Sequence, residues 1–168
     1  MMKMIMQKTL AWAASLLLGV MATASASAAE ATYIDADGIE QTADNAVVVT
    51  SSTTFTDGGW YVVNANTTIN TGTLTVPSSG SANLILADGV TLTVTGPSHS
   101  PGVLVPFGST LSIYGQSAGT GELVATGGSK GAGIGGGGGS SGVSGDSCGT
   151  VKISGISPVF DPMKQARP

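Results

Sequence analysis

The octapeptide Gly89-Val90-Thr91-Leu92-Thr93-Val94-Thr95-Gly96 returns in the same grammar as Gly108-Ser109-Thr110-Leu111-Ser112-Ile113-Tyr114-Gly115. Within each copy apolar residues alternate with Thr or Ser, the period of a strand with one buried face. Glycines bound both copies, where strands turn. The displacement is 19 residues, from Gly89 to Gly108. Thr73-Leu74-Thr75-Val76 precedes the first copy by 18, and Gly149-Thr150-Val151-Lys152-Ile153-Ser154-Gly155 falls about two such periods after the second. Leu84-Ile85-Leu86 and Val103-Leu104-Val105 are again 19 apart.

Two short strands in each fixed period point to a solenoid, whose turns bury their apolar side only by stacking. The spacing therefore predicts an all-β chain, a right-handed parallel β-helix of about five or six coils. Leu74, Leu92, Leu111 and Val151 would form one inward ladder, and Val76, Val94, Ile113 and Ile153 its neighbour. An antiparallel β-sandwich is the alternative, since its strands have the same spacing. The coil is preferred because each run resembles the next but one rather than its immediate neighbour.

Further runs, Val47 to Val49, Trp60 to Val63 and Leu123 to Ala125, fit the same scheme, with proline confined to the turns between runs. The 26 glycines form two populations, ten in residues 1–114 and sixteen from Gly115 to Gly155. Glycine supplies nothing to a core and loses much entropy on ordering. Residues 127–149 accordingly read as a Gly-rich loop within a β-helix domain spanning 29–155. Residues 156–168 hold three prolines and no Thr-rich run, and read as an irregular tail.

Lys3 and Lys8 precede an apolar stretch, Leu10 to Ala22, followed by small residues ending in Ala26-Ser27-Ala28. This is the layout of a secretory signal peptide, here residues 1–28, and predicts a secreted or cell-surface protein with no membrane insertion after cleavage. The whole chain carries a formal charge of -4, and the part after residue 28 keeps four basic residues against ten acids, or -6. No Lys or Arg occurs from residue 9 to 129, which excludes ordinary nucleic-acid binding. Cys148 is the only cysteine, so no intramolecular disulfide forms.

Several stretches imitate catalytic or binding motifs. Gly131, Gly133 and Gly136 satisfy G-x-G-x-x-G, but the glycine run after them cannot begin the helix that nucleotide binding needs. Gly145-Asp146-Ser147 and the lone His99 offer hydrolase-like residues, yet turn chemistry explains them. Asp35-Ala36-Asp37-Gly38 opens like a Ca²⁺ loop, but Ala46 stands where the closing acid belongs. Asp88 and Glu122 are the only acids between residues 58 and 145. Nearly two coils apart, they could share a face as a hydrolytic pair. Ordinary turn chemistry for Asp88-Gly89 and the lack of a nearby basic residue favour a non-catalytic reading. The expectation is therefore a non-enzymatic protein with no catalytic residue, cofactor or metal. Trp60, Tyr61 and Tyr114 are the candidate glycan contacts, because aromatic faces suit sugar rings.

Tyr33-Ile34-Asp35-Ala36-Asp37-Gly38, Gly59-Trp60-Tyr61-Val62-Val63, Asn83 to Leu92, Leu111 to Ser117 and Gly131 to Gly136 occur in order. Together they resemble the N-terminal β-helical segment of secreted or surface repeat proteins of gut bacteria, some described as pectin-lyase-like or carbohydrate-binding. The resemblance spans about residues 31–155. It implies an adhesin-like or carbohydrate-contacting role whose partner is a host or cell-surface glycan. A structural stalk or passenger segment without its own ligand is the alternative, with a polysaccharide-degrading enzyme third. The departure at Ile156 suggests a truncated member, and an uncapped last coil would favour edge-to-edge self-association.

Overall fold

The computed structural model describes residues 27–137 and 145–155. Residues 1–26, within the expected signal peptide, residues 138–144, within the expected Gly-rich loop, and residues 156–168, the expected tail, lie outside the described residues. The chain is all-β. Its strands are β1 (Ala28–Ile34), β2 (Glu40–Val48), β3 (Gly59–Val63), β4 (Thr67–Asn70), β5 (Leu74–Thr75) and β6 (Ser81–Leu86). They continue as β7 (Thr91–Thr95), β8 (Val103–Leu104), β9 (Thr110–Gly115), β10 (Glu122–Thr126), β11 (Ile134–Gly135) and β12 (Thr150–Ser154).

These strands form one mixed sheet, β1-β2-β3-β6-β9-β12, and two parallel sheets, β4-β7-β10 and β5-β8-β11. The chain visits the three sheets in the same order three times: β3-β4-β5, β6-β7-β8, then β9-β10-β11, with β12 returning to the first sheet. Only β1–β2 pair antiparallel, while all eight remaining pairings between described strands are parallel. An antiparallel sandwich has no place for those eight pairings.

The registers correct the ladders expected from the 19-residue spacing. Leu74 lies in β5, Leu92 in β7 and Leu111 in β9, each in a different sheet, and of the two expected ladders only Leu111–Val151 and Ile113–Ile153 are paired. Each of the three leucines is nevertheless buried. True neighbours lie further apart: Leu84 pairs with Ile113, Leu92 with Leu123, and Val103 with Ile134. The 19-residue echo thus spans two of the three sides of one pass. The described chain makes three full passes rather than five or six.

All three sheets contribute to one core, with Leu84 and Ile113 from the first, Leu92 and Val94 from the second, and Leu74 and Val103 from the third. Alternation explains this in β7, whose Leu92 and Val94 are buried while Thr91, Thr93 and Thr95 are partly exposed. Removing a buried Leu from such a core typically costs about 2–5 kcal/mol. At the start of the stack Val49 and Phe55 are buried against Tyr61 and Val63.

The mixed sheet behaves differently, because Leu84, Ile85 and Leu86 of β6 are all buried. Ile85 faces a second cluster with Val62, Ala31, Ala43 and Ala46 on the other side of the sheet. The β1–β2 hairpin covers that face: β2 pairs with β3 only at Val47 and Val48, and β1 reaches as far as β9. Small alanines let the hairpin lie close. A sheet covered on both faces needs continuous apolar runs, as in Trp60 to Val63 and Leu84 to Leu86.

Residues 127–137, expected within a loop, instead belong to the stack. The turn from Gly127 to Gly133 lies against that from Gly96 to Gly102, joined by bonds such as Gly96 N to Thr126 O (2.8 Å), Gly128 N to Ser100 O (3.0 Å) and His99 N to Ser129 O (2.8 Å). His99 (φ 62°) and Lys130 (φ 64°) occupy equivalent places. A Cβ at Gly128 would overlap the Pro97 carbonyl, and one at Gly131 the Ser100 carbonyl. Glycine is used here for close approach rather than for looseness.

Candidate ligand-contact surfaces

The three expected aromatic contacts separate by strand parity. Neighbouring residues of one strand face opposite sides, so Trp60 and Tyr61 part company in β3. Tyr61 is 2% exposed in the main core, its ring 4.3 Å from that of Phe55. Its hydroxyl accepts from the Thr56 N–H at 2.6 Å and donates to the Thr54 carbonyl at 3.3 Å. As a glycan contact Tyr61 is therefore corrected: its ring fills the interior and its polar end is already satisfied.

Trp60 and Tyr114 do come together. They lie on the hairpin side of the mixed sheet, with ring centroids 5.5 Å apart and planes 24° from parallel. Tyr33 of β1, missed in the sequence, joins them at 4.7 Å from each. All three rings are half-buried and pack against the alanine-rich second cluster. Burial, then the neighbouring Tyr114, then Asp35 hold the Tyr33 hydroxyl above the ordinary phenol pKa. The cluster thus seats the hairpin and also presents a partly exposed aromatic rim. Nearby, the Gln116 side-chain amide donates to the Thr32 carbonyl at 3.0 Å.

The carboxylates are occupied by turns. Asp88 accepts from the backbone N–H groups of Ala118 (2.9 Å) and Thr120 (3.2 Å), tying successive turns together. Glu122 accepts from the Thr91 hydroxyl at 3.2 Å. Asp35 accepts from the N–H groups of Asp37 (3.0 Å) and Ile39 (2.9 Å) and from the Gln41 side chain (3.0 Å), closing the hairpin tip. These bonds, with Ile39 the largest, hold its carboxyl below the ordinary value. His99 sits between β7 and β8 beside the Ser98 hydroxyl, at 2.9 Å. Ser147 lies elsewhere, lining a concavity together with Pro106. Gly131 and Gly133 belong to the turn before β11, whereas Gly136 follows that strand and abuts the Asp146 carbonyl.

The concavity at Ser147, of about 580 Å³, lies where the chain passes from the third sheet back to the first, lined by Ser78, Leu104, Pro106, Phe107, Asp146 and Ser147 together with Gly137. Phe107 is 78% exposed at its edge. The readable signal was an aromatic ring inside a Pro-Phe-Gly turn, where folding requires none.

Comparison with protein families, curated proteins and solved structures finds no match to this chain.

Proposed function

We propose that the protein is an exported, right-handed parallel β-helix that meets carbohydrate at a cell surface or in the extracellular medium and catalyses no reaction. The observation that carries this reading is the threefold visit to the same three sheets, each return pairing parallel with the strand before. Strand-to-parallel-strand crossovers are right-handed in about 98% of cases, which supplies the hand. The Thr- and Ser-rich outer positions and the Trp60–Tyr114–Tyr33 rim give such a solenoid a polar wall with one aromatic patch. The resemblance to surface repeat proteins of gut bacteria points the same way. Export rests on the leader pattern, Lys3 and Lys8 ahead of the apolar stretch Leu10 to Ala22.

A stalk or passenger segment without a ligand is the second reading. It is favoured by the use of Trp60 and Tyr114 to pack the hairpin. Glycan-array binding separates the two. The carbohydrate reading expects retention of a defined glycan set and loss of at least tenfold in signal for Trp60→Ala or Tyr114→Ala in folded protein. An array blank for the wild-type protein sinks it in favour of the stalk. Hydrolysis of a polysaccharide panel that disappears in Asp88→Asn or Glu122→Gln would overturn the non-enzymatic assignment.

A further inference from the structure

The groove beside Phe107 has the chemistry of a binding site and no role in the packing described above. Two stacked turns form its floor. Pro77 to Gly80 and Pro106 to Ser109 each close with a backbone bond, Gly80 N to Pro77 O and Ser109 N to Pro106 O, both 3.0 Å. The Ser109 side chain, 1% exposed, ties one turn to the other by donating to the Pro77 carbonyl at 2.7 Å. The returning segment is fixed as well, by Asp146 N to Gly137 O (2.8 Å), Gly149 N to Val105 O (2.9 Å) and the Pro106–Cys148 bridge. A rigid frame thus holds Phe107 and Asp146 around one concavity.

Among the described residues Phe107 is the most exposed of the large hydrophobic side chains. Keeping an aromatic ring in water forgoes the burial that normally stabilises it. Leu104 and Pro106 extend the apolar surface, while Asp146, Ser78 and Ser147 supply acceptors and donors at its edge. Among the described residues no Lys, Arg or His lines the groove, which disfavours a phosphate, sulfate or uronate. A single ring also falls short of the aromatic cage that suits cationic ligands. An aromatic face, one carboxylate and two hydroxyls instead match a neutral pyranose. Its C–H face would stack on Phe107 while its hydroxyls would donate to Asp146. The volume lies within the range of about 300–1,000 Å³ typical of small-ligand sites.

We propose that the Phe107–Asp146 groove is a binding site for a short neutral oligosaccharide, separate from the Trp60–Tyr114 rim. The proposal rests on the carbohydrate reading and locates a contact within it.

Saturation-transfer NMR on the whole protein, with cellobiose, maltose and lactose as separate probes, tests it. The expected result is transfer to the ring C–H protons of at least one disaccharide. Affinity should fall at least tenfold in Phe107→Ala and several-fold in Asp146→Asn, and stay unchanged in Thr93→Ala on the second sheet. Phe107 is exposed and Asp146→Asn is nearly isosteric, so circular dichroism should show both variants folded. Transfer that survives Phe107→Ala but vanishes in Trp60→Ala overturns the groove and leaves the carbohydrate reading standing. No transfer to any of the three sugars overturns the groove; a blank glycan array in addition removes the wider reading. Transfer to Nα-acetyl-lysine methyl ester that depends on Phe107, without transfer to sugars, overturns the assignment of ligand class.

Discussion

Gly131 lies where two successive turns come nearest, and a single methyl there has nowhere to go but into the Ser100 carbonyl. Gly131→Ala is expected to lower stability by about 1–3 kcal/mol, the usual cost of forcing atoms into a packed site. Urea denaturation measures it, and an unchanged midpoint would return residues 127–133 to the status of a loose loop. Asp35 makes a second prediction at this scale. Folding lowers its pKa, so the unfolded chain takes up the proton more readily than the folded one. Its contribution is present above the unfolded carboxylate value of about 3.9 and is lost as pH falls through the lower folded value. Thermal melts from pH 7 to pH 2 should show this acid loss in the wild-type protein and a flatter profile in Asp35→Asn. Parity was already readable at residue scale: Trp60 and Tyr61 could not share a face, though which one turned inward depended on Leu84 and Ile113 across the sheet.

At the scale of elements, the strands were legible and their partners were not. Alternation in Thr91 to Thr95 reports that one face is buried, but says nothing about which sheet the strand joins. The 19-residue echo compared β7 with β9, which share a pattern because both line one core. The true return was also written in the chain, as Thr95-Gly96-Pro97-Ser98 against Thr126-Gly127-Gly128-Ser129. Its second copy lay hidden among glycines, because composition cannot separate glycine used for close stacking from glycine used for freedom. The continuous apolar runs of β3 and β6 carried a further unread message, that something covers the outside of their sheet. The candidate surface suffered similarly: Trp60 and Tyr114 were readable as aromatics, whereas Tyr33 and Phe107 gain meaning only through their neighbours. Ala46, fully buried on the hairpin's own β2, tests that cover. Ala46→Leu should cost about 1–3 kcal/mol by overpacking. It should also shift Trp60 emission to longer wavelength as the hairpin lifts, and an unshifted spectrum would contradict the covering role.

For the whole molecule the two ends differ. Val49 and Phe55 close the beginning of the stack at 3% and 4% exposure. At the other end Leu123, Ala125, Ile134 and Val151 are only partly buried, and Ile153 is 63% exposed although its partner Ile113 is buried. Among the described residues no strand pairs with the far edge of β12. An edge of this kind beside apolar side chains is where strands add, and we propose end-to-end association through β12. Sedimentation velocity should show a coefficient rising with concentration for the wild-type protein and a constant one for Ile153→Lys. A concentration-independent wild-type protein would refute it.

The hairpin's position has a consequence for the order of assembly. β1 is the first described strand, yet it rests against β9, and Thr32 receives its bond from Gln116, 84 positions later. Long-range contacts of this kind bear a loop-closure cost that local ones do not. A chain made from its N-terminus therefore produces β1 before any surface exists to receive it. Two passes and the first strand of the third must stack before the aromatic seat of Tyr33, Trp60 and Tyr114 is complete, so the first described strand finds its full seat only once β9 is in place.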